Sequence, residues 1–248
     1  MSSTPPRPLL RLTGQAIFDY AMIREGDRVL LGVSGGKDSL SLLQVLRHLQ
    51  KKAPVAFDLG VATVDPGIEG FDPAPLIPYM QALGVPYFYE RQAIAERART
   101  TLGNDSFCSY CSRMRRGTLY RVARDHGYNV LALAQHLDDI AESFLMSAFY
   151  AGTLRTMRAH YQIDAGDLRV IRPFVYVRER QLRDFARTAA LPVIADNCPA
   201  CFRRPTERAA MKAMLAVEES RHKVLFRNLL KAVRPLLGTV ESSDAAPR

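Results

Sequence analysis

Two kinds of reactive grouping stand out in the chain. The first is Ser34-Gly35-Gly36-Lys37-Asp38-Ser39, which closes a short apolar run and opens a helical pattern. At a strand-to-helix turn the first helical amides lack intrahelical partners and the dipole is positive, so the turn can receive an anion. The glycines let the backbone approach a phosphate closely, while the serines and Lys37 add donors. The spacing is neither Gly-x-x-x-x-Gly-Lys-Ser/Thr nor Gly-x-Gly-x-x-Gly. The second grouping holds all four cysteines, paired as Cys108 with Cys111 and Cys198 with Cys201 in two Cys-x-x-Cys motifs. Such pairs point to metal or redox chemistry where disulfides do not form. On spacing alone, a tetrahedral four-cysteine zinc site is the favoured reading.

Carboxylates and arginines complete the set. Gln135-His136-Leu137-Asp138-Asp139 follows a later apolar run. Adjacent carboxylates there suit Mg²⁺ bridging ATP phosphates, and an Asp N-cap would account for one of them alone. Arg113, Arg115, Arg116, Arg121 and Arg124 follow the first cysteine pair, with Asp125 leaving a net +4. Residues 169–187 carry six arginines against Glu179 and Asp184, again +4, and Arg203, Arg204 and Arg208 follow the second pair. Arginine so placed suits phosphate or RNA backbone binding, and Arg124 reads as a peripheral contact.

The elements that must position these groups alternate between strand and helix, the pattern of a parallel sheet covered on both faces. Strands are expected at residues 29–33, 55–64, 85–89, 130–134, 169–171 and 192–195. Helices are expected after the loop, with Leu42, Val45, Leu46 and Leu49 at helical spacing, and at 75–83, 112–126, 178–190, 206–217 and 223–233. One further helix follows Asp139, with Ile140, Phe144 and Phe149 towards the core. Residues 93–106 are weakly patterned, and 159–168 read as a polar connection. The domain division is an N-terminal helical segment at 1–26, an ATP-binding core at 27–196 carrying the first cysteine pair, the second pair and helices at 197–237, and a disordered tail at 238–248.

Composition sets the outer limits. The 248 residues are 48% hydrophobic and 24% charged, which excludes wholesale disorder. No apolar run approaches membrane-spanning length, and residues 1–8 carry no apolar signal core, so the expected location is the cytoplasm. The formal net charge of +9 favours a polyanionic partner. Trp is absent, so base stacking would fall to the ten Tyr and eleven Phe.

The residues 34–39 match the Ser-Gly-Gly-x-Asp-Ser loop of the PP-loop ATP pyrophosphatases, which grip the pyrophosphate leaving group while an acceptor is adenylated. Cys108-Ser109-Tyr110-Cys111-Ser112-Arg113-Met114-Arg115-Arg116-Gly117 resembles the Cys-Ser-x-Cys-Ser-Arg-x-Arg-Arg-Gly segment of the tRNA 2-thiocytidine synthetases. The likeness takes in residues 17–50, Thr118-Leu119-Tyr120-Arg121, Asp138-Asp139, Phe149-Tyr150, Ile171-Arg172-Pro173 and Arg178-Glu179, spanning about residues 10–215. It implies an α/β fold with a doubly wound parallel sheet of the adenine nucleotide alpha hydrolase-like type and a small helical C-terminal extension. It further implies ATP bound by Ser34, Gly35, Gly36, Lys37, Asp38, Ser39 and Asp65, with Mg²⁺ on Asp138 and Asp139. A 4Fe–4S cluster would rest on Cys108, Cys111 and Cys201, with Cys198 as the alternative third ligand. Catalytic roles would fall to Lys37, Asp38, Arg115, Arg116 and Asp138. The implied substrate is tRNA, thiolated at a cytidine of the anticodon loop (position 32). A sulfur donor such as a cysteine desulfurase and a homodimer are implied with it.

The family's Gly-His-His-x-Asp-Asp segment appears here as Ala134-Gln135-His136-Leu137-Asp138-Asp139. The segment after Asp65 and the C-terminal helices also depart from the family pattern. Three alternatives stand beside this reading. A PP-loop thiouridine synthetase keeps the chemistry and changes the base. A lysidine-type ligase uses an amine nucleophile and has no need of two Cys-x-x-Cys pairs. A zinc-stabilised RNA-binding protein needs no intact phosphate loop.

Overall fold

The computed structural model describes residues 4–68, 70–101, 107–194 and 206–238. The chain begins with α1 (Arg7–Asp19), then β1 (Asp27–Gly32), α2 (Lys37–Lys52), β2 (Phe57–Asp65), α3 (Leu76–Leu83) and β3 (Tyr87–Arg91). It continues through α4 (Ile94–Thr101), α5 (Phe107–Asp125), β4 (Val130–Ala132), α6 (Leu137–Ala151), β5 (His160–Gln162) and β6 (Arg169–Ile171). The described part closes with α7 (Glu179–Thr188), α8 (Glu207–Arg221), α9 (Leu225–Val233) and a 3₁₀ turn at Arg234–Leu236. The six strands form one sheet in the order β3-β2-β1-β4-β6-β5. All neighbours are parallel except β5, which runs antiparallel beside β6.

Apolar strands buried on both faces make this sheet possible. Val29 and Leu31 of β1 enter the core beneath α1, α2, α3 and α7, whereas Leu30 enters the core beneath α5. The same alternation separates Val130 and Ala132 from Leu131, and Ile171 from Val170. A helix connecting parallel strands runs back against them, so its N-terminus lies at the sheet's C-terminal edge. That edge is where ligands bind, at the point where successive connections diverge. Here the divergence falls between β1 and β4.

Five local expectations change. Phe149 is exposed rather than directed at the core, because nine residues from Ile140 turn it about 180° round the helix. Residues 192–194 are not a sheet strand; Ile194 instead donates its amide to the Gly35 carbonyl. The polar connection contains β5, whose three residues are too few to show a period. The weakly patterned stretch contains α4, and α5 starts at Phe107, so the first cysteine pair lies inside a helix rather than before one. Of the expected tail, all but Gly238 lies outside the described residues.

Candidate active site

Topology gathers the reactive groups along one edge. The phosphate loop follows β1, Asp65 ends β2, His136 follows β4, and Arg172 and Arg178 follow β6. The Cys108–Cys111 turn opens α5 and therefore reaches the same edge. It does so on the sheet face opposite α2, since Cys111 packs with Leu30 and Leu119 whereas α2 packs with Val29 and Leu31.

The loop's shape depends on Gly35. Its φ of +87° lies in the left-handed region, and a Cβ there would stand 2.7 Å from Ile194 Cδ1. Gly36 caps α2 without a side chain, leaving Ser34 Oγ to accept from its amide at 3.3 Å. Ser39 is buried; its hydroxyl accepts from the Ser34 amide at 3.3 Å and donates to the Gly36 carbonyl at 3.0 Å. Lys37 Nζ lies 3.1 Å from Asp38 Oδ2 and 3.0 Å from Glu179 Oε1. Burial works against the ammonium, but Asp38 and Glu179 outweigh it and push its pKa up. At Asp38 burial prevails: it raises the carboxyl despite His136 and Lys37, and Oδ1 has no hydrogen-bond partner.

Asp138 and Asp139 are both engaged. Arg178 grips Asp138 through Nε (3.2 Å to each oxygen) and Nη2 (3.0 Å), and the Glu179 amide donates to Asp138 Oδ2 at 2.7 Å. Asp138 thus clamps the start of α7 to the start of α6. Asp139 forms a capping box with His136, the N-cap of α6, and its Oδ1 takes Arg208 Nη1 at 3.1 Å. Glu179 completes the network with Lys212 Nζ at 2.6 Å. Burial pushes Glu179 up, but its bonds to Lys212 and Lys37 outweigh that and bring it down to about 2.

The comparisons with known proteins bear on this arrangement. The PP-loop domain family matches residues 7–216. A tRNA-cytidine(32) 2-sulfurtransferase of Geobacter sulfurreducens is 39% identical over 224 residues, covering 89% of this chain and 86% of that protein. Its counterpart in Methylococcus capsulatus is 44% identical over 223 residues, covering 86% and 74%. This chain belongs to the tRNA-cytidine(32) 2-sulfurtransferase family. The fold is also that of the U34-tRNA thiolase NcsA from Methanococcus maripaludis, solved with its 4Fe-4S cluster. The TM-score is 0.77 at 21% identity, covering 96% of this chain and 80% of that one.

Within this sulfurtransferase-family chain, the expected site residues divide. Asp65 is buried, accepting from the Gly67 amide at 2.8 Å and from the Tyr89 hydroxyl at 2.5 Å. Cys111 is buried on the α5 face; Cys108 lies one turn earlier, its side chain outside the described ones. Cys198 and Cys201 lie outside the described residues altogether. The segment carrying them leaves from Ile194, which bonds the phosphate loop, and returns at Thr206, the N-cap of α8. Among the described residues, Arg115 and Arg116 have no carboxylate partner. Arg124 does: it is forked onto Asp167 at 2.6 and 3.1 Å, and Arg121 pairs with Glu90 and Asp125. The positive charge of α5 that has no carboxylate partner among the described residues is therefore at its cysteine end, whereas Arg124, expected as a peripheral RNA contact, carries an exposed ion pair. Sequence reasoning missed Lys212 and Glu219, which α8 brings onto Glu179 and Arg178, and read Arg208 as a phosphate contact where the structure pairs it with Asp139. The basic residue after the second cysteine pair was the one available signal.

Proposed function

We propose that this protein is an ATP-dependent tRNA sulfurtransferase. It adenylates a cytidine of the anticodon loop, at position 32, and exchanges the 2-oxo oxygen for sulfur. The observation that carries this reading is the meeting of phosphate loop and cysteine helix at one sheet edge in a chain of this family. ATP phosphates face the N-terminus of α2, where Lys37 stays protonated beside Asp38 and Glu179. The cytidine O2 attacks the α-phosphorus; an O–P bond forms and the bond to pyrophosphate breaks. Sulfur at the sulfide level then adds at C2, the C–O bond breaks and AMP leaves. Adenylation converts a poor leaving group into a good one.

The donor sets fit the two inorganic groups unequally. Thiolates suit iron–sulfur ligation, and Cys108 and Cys111 share one helical turn, with Cys111 backed by the core. Cys201 is the proposed third ligand. When bound, the 4Fe–4S cluster supplies the sulfur of the second step. For Mg²⁺, the oxygens of Asp138 and Asp139 are spent on Arg178, Glu179, His136 and Arg208. The unpartnered Asp38 Oδ1 is the better-fitting ligand at the phosphates. Among the described residues no helix is long and apolar enough to cross a membrane.

Nucleoside mass spectrometry of tRNA from a strain lacking the protein tests the function. 2-Thiocytidine should disappear and return on complementation. Retained 2-thiocytidine with loss of a thiolated uridine moves the target; a full set of thiolated nucleosides refutes the proposal.

A further inference from the structure

Arg172 is a buried cation without a counter-charge. It is 4% exposed. Its Nε donates to Gln135 Oε1 at 3.0 Å and its Nη1 to the Arg158 carbonyl at 2.6 Å. Its guanidinium stacks 5.5 Å from the centre of the Tyr161 ring. These partners are all neutral, and among the described residues no carboxylate lies within ion-pair reach. Arg116 stands one turn before Tyr120 on α5, so the two side chains share a helix face, and its positive field acts on both Arg172 and Tyr120. Tyr120 and Tyr161 bring their hydroxyls to 3.4 Å of each other, with the Arg172 guanidinium over the Tyr161 ring. Arg172 follows Val170 by two residues, so it stands on the α5 face, at the end of the strand and therefore at the active edge.

Burying a guanidinium unpaired is costly, and adding a second cation makes it worse. Such an arrangement persists where an incoming anion cancels it. Two arginine forks with two hydroxyls provide the donors that a phosphate oxygen set accepts. Gln135 turns its amide oxygen to Arg172, which fixes the fork. The pocket follows β6, and β4 separates β6 from β1. It therefore sits two strands, about 10 Å, from the loop facing the ATP phosphates.

We propose that Arg172, Arg116, Tyr120 and Tyr161 form a pocket for a backbone phosphodiester of the RNA substrate. The assignment rests on the tRNA reading above. Arg116 thereby becomes a substrate-binding residue rather than one that serves turnover alone.

The test uses the full chain, wild type, Arg116→Gln and Arg172→Gln, with an unmodified tRNA transcript titrated between 50 and 200 mM salt. ATP is titrated in a second assay through pyrophosphate release, with tRNA saturating for each protein. Arg116→Gln should weaken tRNA binding about tenfold and reduce the slope of log K against log salt by about 0.9. Its KM for ATP should stay within about twofold of wild type. Relief of like-charge repulsion should also raise the melting temperature of the free variant by about 2 °C, which a purely structural arginine would lower. Arg172→Gln should act alike if it folds; Arg116→Gln, on a half-buried side chain, decides the matter if it does not. An unchanged salt slope, in protein whose wild type binds tRNA steeply with salt, overturns the pocket and leaves the proposed function standing. A raised KM for ATP with tRNA binding intact gives the pocket to a nucleotide phosphate and overturns the RNA assignment. Absence of salt-dependent tRNA binding by the wild type overturns both.

Discussion

Glu142 should make this protein less stable as the pH rises towards 8, and replacing it with glutamine should remove that loss. The side chain sits one turn past Asp138 on α6, buried, with Arg208 Nη1 3.4 Å from its Oε2. Burial, reinforced by Asp139 and Glu179, pushes its carboxyl from 4.5 up to about 7 against Arg208 and Lys212. A carboxyl raised by folding keeps its proton in the native state after the unfolded chain has released it. Stability therefore falls as pH climbs from about 4.5 to about 7 and is level beyond. The full difference is about 3 kcal/mol at pH 8. Glu142→Gln also gives up the pair with the half-exposed Arg208, worth under about 1 kcal/mol. The variant should gain about 2 kcal/mol at pH 8, or roughly 4–8 °C in melting temperature for a chain this long. Near pH 5 the gain should vanish. Glu179 does not confuse the experiment: held near 2, its contribution is present above 4.5 and is lost only as pH falls further. Thermal melts of both proteins from pH 5 to 8.5 at fixed ionic strength are sufficient. Parallel pH profiles for the two proteins would refute the reasoning.

Two further outcomes are expected. Gly35→Ala should cost about 2–4 kcal/mol, combining the left-handed backbone penalty with the contact to Ile194 at 2.7 Å. In urea titrations, Gly35→Ala/Ile194→Ala should recover the steric part and leave the backbone part, whereas purely additive losses would show that the two residues do not touch. Protein purified without oxygen should be brown, with about four irons per chain, and should bleach in air. Iron should be lost in Cys108→Ala, Cys111→Ala and Cys201→Ala and kept in Cys198→Ala; colourless protein with stoichiometric zinc would remove the cluster from the mechanism.

The phosphate loop was legible because its signal is local. A buried strand, small residues and a helical period lie within about twenty consecutive positions, and the structure places Lys37 at the first turn of α2. The sheet was legible for the same reason at β1, β2 and β4, whose apolar runs are buried on both faces. What escaped was either short or distant. β5 has three residues, His160–Gln162, and only pairing with β6 defines it. Phe149 was misplaced by extending a helical stripe beyond the point where 3.6 residues per turn carries it. The roles of Lys212, Arg208 and Glu219 depend on α8 docking against α6 and α7, and no pattern within α8 itself reveals that contact. Asp138 shows the same limit from the other side. Its position beside Asp139 suggested a metal, while the residue that occupies it, Arg178, is forty positions away.

The sheet also explains how nucleotide and sulfur chemistry can share a site without sharing an element. Alternate residues of β1 serve two cores, so α2 with its phosphate loop and α5 with its cysteines lie on opposite faces and meet only at the edge. Neither helix can shift towards the other without crossing the strands. The chain after α7 touches the phosphate loop, where the Ile194 amide bonds the Gly35 carbonyl at 3.0 Å and Ile194 packs over the glycine. Cys198 follows Ile194 by four residues, a reach of at most about 14 Å of extended chain. The segment bearing the second cysteine pair is thus anchored on the phosphate loop at one end. At the other it is anchored on α8, whose Lys212 bonds Glu179, the partner of Lys37. Both tethers end on the lysine-bearing loop.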